Sequence, residues 1–145
     1  MIEGNRKDLS LTLLVVDDDP EMRAILKDFL EREGYRVIAE SSGESAIVTA
    51  YSEQIDVAIL DKEMPGLSGL DLLSFFRQRF PETSVILITT FGGPGVAAEA
   101  LRRGAARYLE KPFRVIDLLY AIRRVTRARL PRACAPYPHT QQRAW

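Results

Sequence analysis

LTLLVVDDDPEMR, residues 11–23, decides the fold. A nearly unbroken β-favouring run, Leu11 to Val16, ends in three aspartates, and a proline then opens a stretch with helical spacing. A strand with no polar alternation is covered on both faces, as in parallel sheets whose crossover helices lie on each side. Asp19-Pro20 reads as a helix start, with Asp at the N-cap and Pro at the first helical position. Met22, Ile25, Leu26, Phe29 and Leu30 follow on one predicted face, and Gly34 ends the helix. The acidic cluster therefore lies at the carboxyl end of a buried strand.

The same unit recurs along the chain. Tyr35 to Ala39 is a short second strand, and Ser42 caps a helix whose predicted apolar side is Ala46, Ile47, Ala50 and Tyr51. Ile55 to Leu60 forms the third strand, closing on Asp61. After the turn-rich KEMPGLSG, Ser68 and Asp71 form a capping-box pattern, with Asp where Glu or Gln is usual. Leu72, Leu73 and Phe76 face inward on the third helix. Val85 to Ile88 leads into Thr89, then FGGPG, then a helix with Val96, Ala97, Ala100 and Leu101 inward before Gly104. Arg107 to Leu109 is the fifth strand, and the last helix carries the stripe Val115, Leu118, Leu119 and Ile122. Helical crossovers of this length imply parallel strands with right-handed connections. The fold class is α/β, a doubly wound five-stranded parallel sheet.

The 145 residues suit one folded domain over 11–128, with an N-terminal extension at 1–10 and a Pro- and Arg-containing tail or linker at 129–145. No apolar run reaches the roughly 18 residues of a membrane span, and MIEGNRKDLS lacks a signal-peptide core. The single Cys134 excludes an internal disulfide. A soluble cytoplasmic protein without membrane partners is expected. Net charge is zero but segregated: residues 1–110 hold 12 Lys/Arg against 19 Asp/Glu, and 111–145 hold 8 against one. The carboxy-terminal arginines read as a solvated helix face and linker, so direct nucleic-acid binding by this domain is not expected. His139 and Cys134 fall in the tail and take no ligand role.

In open α/β sheets ligands bind at the carboxyl edge, where strand order reverses. Asp17, Asp18, Asp61, Thr89 and Lys111 all end strands on that edge. Adjacent carboxylates repel unless a cation or a shared proton relieves them, and an oxygen-ligand Mg²⁺ site would do so. Asp19 is assigned to capping instead. Asp61 is a candidate nucleophile, because a carboxylate can attack phosphorus to give an acyl phosphate. Lys111 is suited to neutralising phosphoryl oxygens, and Thr89 to donating its hydroxyl to one. A cis Lys111-Pro112 peptide would aim the lysine back toward the edge.

LLVVDDDPEMR, DVAILDKEMPGLSGLDLL, VILITTFG and GAARYLEKPF, in this order, resemble the receiver domain of bacterial two-component response regulators. The resemblance implies a flavodoxin-like sheet of strand order 2-1-3-4-5. It implies Mg²⁺-dependent phosphoryl transfer to Asp61 from a sensor histidine kinase or phosphotransfer protein. Asp18, Asp61 and the Glu63 carbonyl would bind the metal directly, and Asp17 mostly through water. Thr89 and Tyr108 match the switch threonine and switch aromatic, and Lys111 the phosphate-binding lysine. The face formed by helix four, strand five and helix five would act on an output domain or partner protein, with a homodimer left open. Such a domain turns over no separate substrate and catalyses only its own phosphorylation and dephosphorylation.

Some positions depart from the common receiver pattern. Thr90 replaces a small alanine, Arg107 a frequent acidic residue, and Arg114 a frequent N-cap aspartate worth about 1 kcal/mol. The two arginines weaken any transfer of acidic–basic dimer contacts to this chain. Glu63 and Phe91, two residues after the nucleophile and the switch threonine, flank the route of hydrolytic water, and bulky Phe91 is expected to slow dephosphorylation by screening it. Two other readings stay open: a receiver-like interaction module that works without phosphorylation, and a phosphatase of the haloacid dehalogenase type. The second needs an Asp-x-Asp continued by Gly and a hydroxyl residue, whereas Pro20 and Glu21 stand here.

Overall fold

The computed structural model describes residues 10–127. Strand and helix alternate through β1 (Thr12–Val16), α1 (Pro20–Arg32), β2 (Arg36–Glu40), α2 (Gly43–Ser52), β3 (Val57–Asp61), α3 (Gly69–Arg79), β4 (Ser84–Thr89), α4 (Pro94–Arg102), β5 (Arg107–Glu110) and α5 (Val115–Thr126). The strands form one parallel sheet in the order β2-β1-β3-β4-β5. This is the flavodoxin-like, doubly wound arrangement expected from the sequence. The extension before Ser10, the tail at 129–145, Cys134 and His139 lie outside the described residues.

A strand period of two sorts the core into two layers. Leu14, Val16, Ala58, Leu60, Val85 and Leu87 pack with Ala46 and Ala50 of α2, Leu72, Leu73 and Phe76 of α3, and Ala100 of α4. Leu13, Val15, Val57, Ile59, Ile86 and Ile88 pack on the opposite side with Leu26 and Leu30 of α1 and Leu118, Leu119 and Ile122 of α5. Every residue of β1 and of β3 is buried. Each fully buried leucine or isoleucine contributes roughly 1.5–3 kcal/mol over its exposed state.

Three residues expected on buried faces are out of phase with them. Ile25, Tyr51 and Leu101 are 49%, 58% and 54% exposed. In each case a sequence neighbour (Leu26, Ala50, Ala100) takes the core position, and the helical step carries the expected residue off the stripe. Tyr51 instead meets Phe75 and Phe80 edge-on, with ring centroids 5.9 and 5.3 Å away.

The caps follow the expected chemistry. Asp19 accepts from the Glu21 N–H at 3.0 Å, and Ser42 from that of Ser45 at 3.1 Å. Ser68 and Asp71 form a reciprocal box at 3.2 and 3.3 Å, so the shorter Asp side chain closes it as Glu would. Gly34, at φ 100°, ends α1 in a conformation that favours glycine. Arg114 stands at the N-cap of α5 with no acceptor to offer. Asp117 takes the Arg114 N–H at 3.2 Å and pairs with its guanidinium at 2.9 Å.

Gly69 seats α3 against the site. A Cβ there would lie 2.4 Å from the Asp61 carbonyl oxygen and 2.7 Å from the Lys62 Cα. Both are backbone atoms, so only glycine permits the approach. Gly69→Ala is expected to lower unfolding free energy by about 1–3 kcal/mol, as overpacking does. Gly95→Ala, in helical backbone with nothing within 4 Å, should raise it by up to about 1 kcal/mol. Urea denaturation of both variants checks the pair.

Candidate functional site

β1 and β3 are neighbours in the sheet, yet their onward connections run to opposite sides of it. Their carboxyl ends flank the crevice that this reversal leaves. Asp61 is the last residue of β3, and Asp17 directly follows β1. Each is nearly inaccessible, at 4% and 3% exposure. Asp17 extends the ladder, its N–H donating to the Glu40 carbonyl at 3.2 Å, and Arg23 donates to its carbonyl oxygen at 2.8 Å. Its Oδ1 accepts from the Asp19 N–H at 2.9 Å. Asp61 Oδ1 accepts from the Glu63 N–H at 3.2 Å. Lys111 Nζ enters between the two remaining oxygens, 3.3 Å from Asp17 Oδ2 and 3.4 Å from Asp61 Oδ2. The Lys111-Pro112 bond is cis.

Asp18 completes the group from the exposed side. One carboxylate oxygen each from Asp17, Asp18 and Asp61 lies within 4.8 Å of the others. Three carboxylates against one ammonium leave the crevice short of positive charge. Burial, then the neighbouring Asp17 charge, push the Asp61 carboxyl up to about 6, against the pull of Lys111 and the Glu63 N–H. Burial opposes the charged form of Lys111, but Asp17 and Asp61 outweigh it and hold its pKa above the ordinary lysine value. An all-oxygen donor set with unbalanced negative charge suits a small, hard divalent cation.

The response regulator receiver domain family matches residues 13–123. This chain belongs to the receiver family. The response regulator FleR of Pseudomonas aeruginosa is 37% identical over 123 residues, covering 85% of this chain and 26% of FleR. Chemotaxis protein CheY4 of Vibrio cholerae superposes with a TM-score of 0.76 at 30% identity, over 80% of this chain and 98% of CheY4. A Burkholderia pseudomallei response regulator, solved with a phosphorylated aspartic acid, a calcium ion and citrate, superposes with a TM-score of 0.73 at 28% identity. That match covers 77% of this chain and 66% of the other. The chain spans between about a quarter and a half of the length of the curated relatives it matches. Receivers are signalling modules of two-component systems that meet histidine kinases and output domains. Among the described residues of this receiver, no helix is long and apolar enough to cross a membrane.

In the receiver, Thr89 closes β4 and is fully buried. Its hydroxyl donates to Glu63 Oε2, and Glu63 Oε1 accepts the Thr90 N–H at 3.0 Å. Burial opposes the Glu63 carboxylate, but Thr89, the Thr90 and Phe91 backbone N–H groups and Lys62 hold its carboxyl below the usual range. The sequence reading named Glu63 for its carbonyl and for its place beside the water route, and gave its side chain no partner. Its side-chain role has no linear signal, since Thr89 lies 26 residues away. Phe91, expected to screen a water route, is 71% exposed.

Tyr108 is half-buried against the α2-α3-α4 layer. Its hydroxyl donates to Glu110 Oε2 at 3.1 Å, and the same oxygen accepts the Gly93 N–H at 3.0 Å. Burial, then Glu110, raise the Tyr108 pKa. Glu110 is a second contributor the sequence reading passed over. Together the two glutamates hold both ends of the segment leading into α4.

Because the folded Asp61 carboxyl titrates near 6 and an unfolded one near 3.8, the folded state binds more protons between these values. Metal-free stability should therefore fall as pH rises from about 4 through 6 and level off above. Asp61→Asn removes that slope and should add about 2–3 kcal/mol at pH 7.5 in a chelating buffer, with the gain vanishing near pH 4. Urea titrations across pH check both.

Proposed function

We propose that this receiver accepts a phosphoryl group on Asp61 from a sensor histidine kinase or phosphotransfer protein. The observation carrying this reading is the pair of buried carboxylates on either side of Lys111 Nζ, with Asp18 opening the cluster to solvent. An Asp61 carboxylate oxygen attacks phosphorus as the phosphorus–nitrogen bond of the donor phosphohistidine breaks. The leaving imidazole keeps the electron pair and takes up a proton. The product is an acyl phosphate on Asp61. Lys111 is placed to follow the charge from carboxylate to phosphoryl oxygens.

Asp17, Asp18, Asp61 and the Glu63 carbonyl oxygen would hold Mg²⁺, with Asp17 acting mostly through water. When bound, the ion offsets negative charge that grows on the transferring oxygens. The chain's own residues contribute the nucleophile, the lysine and a fixed frame. The Asp19 N–H orients the Asp17 carboxylate, and the Glu63 N–H orients that of Asp61. Water later attacks the same phosphorus and returns Asp61 and phosphate, so no separate substrate is turned over.

The output follows from Thr89 and Tyr108. A phosphoryl group adds charge and acceptor oxygens beside Thr89. Thr89 turning toward it leaves room for Tyr108 and reshapes the face formed by α4, β5 and α5, which then acts on an output domain or partner protein. Within that face Arg114 is paired with Asp117, so Arg107 is the main departure that disfavours acidic–basic homodimer contacts. A cytoplasmic setting without direct nucleic-acid contact by this domain completes the reading.

Incubation with acetyl phosphate and Mg²⁺ should add the mass of one phosphoryl group to the wild type and to Asp19→Asn, and none to Asp61→Asn. A persistent gain in Asp61→Asn moves the acceptor elsewhere. No gain in wild type favours an interaction module that works without phosphorylation.

A further inference from the structure

The reading of Asp61 as phosphoacceptor is the basis for a second one, concerning the Glu63 side chain. Thr89 Oγ1–H and the Thr90 N–H turn toward a single carboxylate, one donor to each oxygen. Two donors converging on one anion form the cradle that two oxygens of a phosphoryl group would use. We propose that Glu63 is a built-in occupant of that cradle, a positioning residue that holds Thr89 away from Asp61 until the phosphoryl group displaces it.

Several observations support this. Thr89 is fully buried, so its hydroxyl needs an acceptor at all times and cannot wait unpaired for a ligand. Glu63 supplies a charged acceptor in the unphosphorylated chain, and the Phe91 carbonyl oxygen at 3.2 Å is the neutral alternative. The Phe91 N–H donates to Thr89 Oγ1 at 3.1 Å, and Thr89 Oγ1 lies 3.2 Å from the Phe91 carbonyl oxygen, which ties the hydroxyl's place to the backbone entering α4. The Glu63 side chain is about a third exposed, with Lys62 Nζ 3.7 Å from its Oε2. A displaced carboxylate thus has both solvent and a cation beside it, and exchange leaves no buried charge unpaired. Competition for two charge-assisted donors sets a threshold against spontaneous switching. It works by contact, which separates it from the general repulsion any acidic residue exerts on an incoming anion.

Beryllofluoride with Mg²⁺, a stand-in for the phosphoryl group on Asp61, is the probe. Glu63→Ala is expected to bind it about tenfold more tightly than wild type, with Glu63→Gln in between because it keeps one acceptor oxygen. In a Thr89→Ala background the gain from Glu63→Ala should shrink to about two- to threefold, since part of the contact is already gone. In metal-free protein with no probe, the Thr90 amide should exchange with solvent faster in Glu63→Ala than in wild type. Equal gains in both backgrounds would mean charge alone is at work and would overturn the proposal, as would unchanged affinity or an unchanged Thr90 amide. If wild type takes neither beryllofluoride nor acetyl phosphate, the Asp61 reading fails. The amide exchange measurement still decides whether Glu63 holds the threonine.

Discussion

Two carboxylates buried side by side, with one lysine between them, are the constraint on which the rest of this receiver depends. Asp17 and Asp61 are brought together because β1 and β3 are neighbours whose chains leave in opposite directions. Bringing two such groups out of water is unfavourable, and one ammonium only partly offsets it. The apolar sheet beneath holds the arrangement regardless. The crevice is thus stabilised from outside itself, and it is left with an excess of negative charge that favours a cation.

The strand ends also explain why so much was legible in the linear sequence. In a parallel sheet all carboxyl ends share one edge, so a polar residue that closes an apolar run can be placed without coordinates. Asp17, Asp61, Thr89 and Lys111 were located that way, and so was the order of the elements. Capping chemistry is local, which is why Asp19, Ser42 and the Ser68–Asp71 box were readable. Phases within a helix were less secure. Ile25, Tyr51 and Leu101 each adjoin the residue that is buried in their place, and hydrophobicity alone does not separate neighbours 100° apart. Glu63 and Glu110 escaped for another reason. Their partners are set by which loops meet at the edge, and no periodicity encodes that meeting.

A division of labour along the edge emerges from these contacts. Asp17, Asp18, Asp61 and Lys111 handle charge, whereas Glu63 and Glu110 handle position. The second pair grips the entrance to α4 at Thr89, Thr90 and Gly93, where the glycine-rich segment offers little resistance to rearrangement. A backbone free to rearrange but pinned by two carboxylates has discrete resting places. Under the proposed phosphorylation of Asp61, the phosphoryl group would compete with hydrogen bonds already made, and the balance between them would set how readily the domain changes state.

The two-layer core has a consequence for diversification. Leu14 and Leu13 are consecutive, yet one belongs to the α2-α3-α4 layer and the other to the α1-α5 layer. The sheet acts as a wall, and side chains on one side do not pack with those on the other. Substitutions beneath α1 and α5 can therefore accumulate without disturbing the packing of α2, α3 and α4, and the reverse holds. Each outer layer can thus be repacked with little effect on the one across the sheet. The face formed by α4, β5 and α5 straddles this wall, so both layers support it at once.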